Sequence, residues 1–136
     1  MAVNRKKVFA IGNCLSPADF KKAANFLVKI RPLLKTNDVT IPPNKKNNEF
    51  DRKYNLKHAE KIKVLESLTA HDCIKIEPNN NPRYPDADVY CFNKNITIVV
   101  YGEDENPCVY IKMYVMEFSN HDDVIVISFH EEGLYE

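Results

Sequence analysis

Val109-Tyr110-Ile111-Lys112-Met113-Tyr114-Val115 and, further on, Val124-Ile125-Val126-Ile127-Ser128-Phe129-His130-Glu131 decide the fold. In the first stretch, alternation sends Val109, Ile111, Met113 and Val115 to one side and Tyr110, Lys112 and Tyr114 to the other, as in a half-buried strand. The second alternates likewise, with Ile125, Ile127 and Phe129 on one face and Val124, Val126, Ser128 and His130 opposite. Paired in the register that buries both apolar sets together, the two strands put Tyr110 and Lys112 on the same face as Ser128 and His130.

Working outward, the alternation predicts strands at Val89–Phe92, Ile96–Tyr101, Val109–Phe118 and Val124–Phe129. Their connections are short enough for antiparallel hairpins. Residues 77–85 are polar and rich in Pro and Asn, and before them the period is helical. Ser16-Pro17-Ala18-Asp19 is a helix start, with Ser16 as cap, Pro17 in the first turn and Asp19 at the capping-box position. Phe20, Ala23, Ala24, Leu27 and Ile30 follow at helical spacing, predicting a helix over 17–31 that stops before Pro32. Residues 35–54 lose periodicity and gather Pro42, Pro43, Asn44, Asn47 and Asn48 with Lys45 and Lys46, which predicts a surface loop and a place for mobility. Leu56, Ala59, Ile62, Leu65 and Leu68 form the stripe of a second helix. Thr69-Ala70-His71-Asp72 repeats the capping-box pattern and predicts a short separate helix carrying Cys73, Ile74 and Lys75. The expected fold is therefore α+β, one domain over 1–136: a lead-in (1–15), a helical basic half (16–76) packed on an antiparallel sheet (86–132).

Composition supports a folded chain. With 136 residues, 44% hydrophobic, 28% charged and only 3 Gly, it lies in the globular range, at the length of one core. No apolar run reaches the roughly 18 residues a membrane span needs, and the start carries no export pattern, so the expected location is the cytoplasm. Cys14, Cys73, Cys91 and Cys108 make no Cys-x-x-Cys pair; they read as reduced thiols, and neither a metal nor another cofactor is expected. The zero net charge is made of two halves. Residues 1–68 hold 15 Lys and Arg against 6 acids, +9, and the remainder 4 (19 − 15) against 13 (19 − 6), −9. Such a split suggests a basic surface for a polyanion, or simply a lysine-decorated helical face.

The Tyr110, Lys112, Ser128, His130 face suits RNA cleavage. The ribose 2′-OH must lose a proton to attack the adjacent phosphate, the transition state gains negative charge, and the leaving 5′-oxygen needs a proton. Histidine titrates near neutrality, lysine meets phosphate charge, and tyrosine can donate a hydrogen bond or stack on a base.

Four segments resemble a known family in the same order. Leu68-Thr69-Ala70-His71-Asp72-Cys73-Ile74-Lys75 resembles the Leu-Ser-x-x-Asp-Phe-x-Lys segment of the MqsR (motility quorum-sensing regulator) toxins, and Asp88-Val89-Tyr90 their Asp-Val-Tyr. Val109-Tyr110-Ile111-Lys112 resembles their Val-Tyr-Leu-Lys, and Val124–Glu131 their closing strand, which ends Val-Ser-Phe-Lys-Glu. The resemblance covers residues 56–132 and implies a RelE-like fold. It also implies metal-independent cleavage of mRNA, with or without the ribosome, and silencing by a cognate antitoxin; a homodimer is compatible with it. The family's functional lysine falls on Lys75 and its tyrosine on Tyr110. Its glutamine falls on Ala87 and its C-terminal lysine on His130.

The expected catalytic set is thus Lys75, Tyr110 and His130, with Lys112, Arg83 and Ser128 as substrate-binding residues. His71 is a further candidate for phosphate contact. One rival is a non-catalytic nucleic-acid- or protein-binding module of the same fold, which Ala87 favours. Another is a structural subunit whose acidic end, Glu131 and Glu132, docks a basic partner.

Overall fold

The computed structural model describes residues 15–79 and 87–132. Helix α1 (Pro17–Lys35) starts as expected: the Ser16 side chain accepts from the Asp19 backbone N–H, and Pro17 sits in the first turn. It runs past Pro32, contrary to the expectation of a stop there. Pro32 costs the helix one N–H donor, but its carbonyl still accepts from the Thr36 N–H and hydroxyl, so the last turn closes on itself. Ala23, Phe26, Leu27, Ile30 and Leu34 form the buried stripe.

Two further sequence expectations are corrected upstream of the sheet. The supposed loop at 35–54 holds a short strand, β1 (Val39–Thr40), and a ten-residue helix, α2 (Lys45–Tyr54). Asn44 caps α2 by accepting from the Asn47 N–H, and Phe50 and Tyr54, one turn apart, bury its inner face. Helix α3 (His58–Glu66) begins with the Glu60 side chain accepting from the Lys57 N–H. Its buried contacts are fewer than the apolar stripe promised: Leu65 and the following Leu68 are buried, and Lys61 is tucked in against Asp51 at 2.6 Å.

The capping box at Thr69–Asp72 forms, but it holds only a single 3-10 turn (Ala70–Asp72). Cys73, Ile74 and Lys75 then enter strand β2 (Cys73–Pro78), so Lys75 is on the sheet rather than on a helix. Four more sheet elements follow with β3 (Asp88–Asn95), the hairpin β4 (Ile98–Val100) and β5 (Glu103–Glu105), and β6 (Cys108–Glu117), before β7 (Asp122–Glu131) closes the order. The main sheet runs β1-β7-β6-β3-β2, antiparallel except for the parallel pairing of β1 with β7. The expected strand at 96–101 is instead half of the separate β4–β5 hairpin, whose turn puts Tyr101 and Gly102 at φ 52° and 80°. A two-residue hairpin turn of this hand needs both left-handed conformations, which glycine adopts freely and tyrosine at a cost.

Helices cover one side of the sheet. There Phe92, Val109, Ile111, Met113, Val124, Val126 and Phe129 meet the α1 stripe, Leu65 and Phe50, and Phe26 stacks on Tyr90 at 3.9 Å. Full burial of each such side chain stabilises by roughly 1.5–3 kcal/mol. The opposite side carries a smaller cluster of Val89, Cys91, Tyr114 and Ile125. Part of the charge split closes on itself, because Lys22 pairs with Asp88, Lys29 with Glu117 and Lys53 with Glu131, each at 2.8–2.9 Å.

Candidate functional site

Along β6 and β7 the register is Tyr110 opposite His130, Ile111 opposite Phe129 and Lys112 opposite Ser128, but Met113 then faces Val126. Ile127 is therefore an extra residue in β7, a β-bulge. It changes the expected faces: Val124 and Val126 join Phe129 in the helix-side core, while Ile125 packs on the other side. Strict alternation back from Phe129 assigns these first residues to the wrong faces. The bulge leaves both Ile127 and Ser128 facing away from the helices, so Phe129 can be buried without turning His130 inward.

The start of α2 is fastened to this bulge. The Asn44 and Asn47 side-chain amides both donate to the Ile127 carbonyl at 3.1 Å, and the Asn47 side-chain oxygen accepts from the Phe129 N–H at 2.9 Å. Beyond the end of β1, the buried Asn47 thus serves the edge of β7 as another strand would. This pinning brings Lys45 and Lys46 to the rim of a groove of about 470 Å³ whose lining is Asn44, Lys45, Lys46, Tyr110, Lys112, Ile127, Ser128 and His130. The groove is concave and joins cations to hydroxyl and imidazole groups, as a site for an anionic substrate requires.

His130 is only 4% exposed, yet it borders the groove. Its Nδ1 lies 3.0 Å from the Glu131 backbone carbonyl, which can only accept, so Nδ1 carries the proton and the lone pair of the neutral ring is at Nε2. The Tyr110 ring lies 5.6 Å away, tilted by 43°. Burial pushes the Cys91 thiol up, and a hydrogen bond from Tyr110 opposes that shift in part.

Lys112 Nζ is 2.9 Å from Glu77 Oε1, and Lys75 Nζ is 3.5 Å from Glu77 Oε2. The hydrogen bond from Lys112 outweighs the desolvation that opposes it and, with the charges of both lysines, holds Glu77 below the usual carboxylate range. Lys75, Cys91, Lys112 and Ser128 occupy one register row across β2, β3, β6 and β7. Three strand spacings, about 14 Å, separate the ends of that row.

The structure thus brings Tyr110, Lys112, Ser128 and His130 together, while Lys75 shares their face and is joined to Lys112 through Glu77. Arg83 lies outside the described residues. His71 is exposed and packs edge-on to Phe20 of α1, 4.9 Å away, and is not among the groove-lining residues. Ala87 packs against the apolar cluster of the groove-side face. Glu131 points to the helix side, held by Lys53 and by the Tyr54 hydroxyl at 3.1 Å, which ties up one of the two acids proposed to dock a basic partner. Sequence reasoning missed Lys45, Lys46 and Glu77. Asn44 directly after the Pro42-Pro43 pair was the available signal for a helix start that carries both lysines.

Comparison of the chain with models of known protein families, with curated proteins and with solved structures gave no match. No helix among the described residues is long and apolar enough to cross a membrane.

Proposed function

We propose that the chain is an endoribonuclease that cleaves mRNA by attack of a ribose 2′-OH on the adjacent phosphate, in the β6–β7 groove. The observation that carries this reading is the convergence of Tyr110, Lys112, Ser128 and His130 on one groove, with the His130 proton fixed on Nδ1. Nε2 of His130 takes the 2′-OH proton, and the 2′-oxygen forms its bond to phosphorus as the bond to the 5′-oxygen breaks. Tyr110 gives the departing oxygen its proton and recovers one from solvent. Lys112 and the Ser128 hydroxyl meet the charge on the phosphoryl oxygens, and Lys45 and Lys46 hold the neighbouring strand. The products are a 2′,3′-cyclic phosphate and a 5′-hydroxyl.

The family resemblance extends the proposal to a cytoplasmic toxin of a toxin–antitoxin pair, silenced by its cognate antitoxin and acting without a metal. A second reading, a non-catalytic nucleic-acid-binding module, is favoured by the burial of His130. The test is incubation of purified protein with single-stranded RNA and with its 2′-deoxy counterpart, in chelator. The expected result is cyclic-phosphate ends from RNA alone, reduced about 100-fold or more by His130→Ala. Bound but intact RNA would move the function to the second reading.

A further inference from the structure

The pair of lysines clamped on Glu77 asks what that carboxylate is for. Lys75 and Lys112 come from strands separated by β3, and each takes a different oxygen of the same carboxylate, at 3.5 and 2.9 Å. A phosphodiester offers the same thing, two anionic oxygens able to meet two ammonium groups at once. The three side chains are partly exposed, at 55% for Lys75, 27% for Lys112 and 31% for Glu77, so a ligand can reach them. They lie on the groove-side face, and Lys112 belongs to both the groove and the clamp.

Resting on the RNA reading above, we propose that Lys75 and Lys112 form a second phosphate subsite which Glu77 occupies until an RNA strand displaces it. The strand lies across the sheet along the Ser128–Lys112–Cys91–Lys75 row. Its reacting phosphate sits at the Lys112–Ser128 end and the next phosphates extend toward Lys75, over a row of about 14 Å that spans two to three nucleotide steps. Cys91, in the middle of that row, is fully buried under its neighbours, so the strand rests on the side chains that cover it and not on the thiol. Glu77 keeps the lysines in position when no strand is bound and competes with the strand for both of them. Its removal therefore strengthens binding, whereas removal of a residue that merely orders the site weakens it.

The experiment measures binding of a fluorescent single-stranded RNA of about twelve nucleotides, 2′-O-methylated throughout so that it cannot react by 2′-OH attack. Four proteins are compared: wild type, Glu77→Gln, Glu117→Gln and the double variant Lys75→Ala/Glu77→Gln. Glu117 is a matched control, because it also pairs with a lysine at 2.9 Å and loses the same charge, away from the groove lining. The expected result is binding tightened on the order of fivefold by Glu77→Gln, little change with Glu117→Gln, and loss of the gain when Lys75 is also removed. Unchanged or weaker binding by Glu77→Gln, or a gain equal to that of Glu117→Gln, would overturn the subsite. Absence of binding by all four proteins would instead sink the RNA reading itself.

Discussion

Cys73, Cys91 and Cys108 place a limit on the chemistry available residue by residue. Burial pushes the Cys73 thiol up to about 11 and raises the other two, so at neutral pH the thiolate that would react is scarce. All three should resist iodoacetamide in the folded protein and react once it is unfolded in urea, which peptide mass mapping of the alkylated chain will read. Rapid labelling of Cys91 at pH 7.5 would mean that the sheet opens at the Tyr110 hydrogen bond. His130 is specified in a different way: the Glu131 backbone carbonyl accepts from Nδ1 and so favours one tautomer.

At the scale of elements, the attachment of α2 to β7 rests on Asn47. Replacing it by Leu removes a donor and an acceptor that serve the Ile127 carbonyl and the Phe129 N–H inside the protein. Asn47→Leu is expected to cost about 2–3 kcal/mol, read as a lower urea midpoint with an unchanged slope, and to loosen the groove that α2 completes. Which elements were legible follows from where their signals lie. β6 and β7 announced themselves because alternation is local, and Tyr110, Lys112, Ser128 and His130 were placed on one face from that alone. Helix α1 was legible from its cap, though not its end, because a proline late in a helix loses only one donor. Helix α2 was not, since ten residues rich in Asn and Lys bury little besides Phe50, Tyr54 and Asn47, and what holds them is a side-chain match to a distant strand. β2 was hidden by a genuine capping box that governs only one turn. Glu77 could not be read as part of a site, because its role depends on Lys112, two strands away.

For the whole molecule, the opposed charges of the two halves are partly a matter of self-association within the fold. Lys22, Lys29 and Lys53 all have their ammonium groups favoured by a hydrogen bond to a partner acid, Asp88, Glu117 and Glu131 respectively. A lysine whose folded pKa is raised contributes stability that is complete below its unfolded value and is lost as pH rises through the folded one. Tyr54 and Tyr90, raised chiefly by burial, act in the same direction. The melting temperature should therefore hold on the neutral side and fall once pH passes about 10.5, by a modest amount because the ion pairs are exposed and worth under about 1 kcal/mol each. A thermal scan between pH 8 and 11 will check it. The sheet, by contrast, keeps its two sides apart through one residue, and that has a consequence for redesign. Because Ile127 resets the alternation, the even-numbered Val124 and Val126 face the helices before it and the even-numbered Ser128 and His130 face the groove after it: the first pair can be repainted for packing, the second for a new substrate. A designer who counts by twos across Ile127 will build the intended pocket on the wrong side of the molecule.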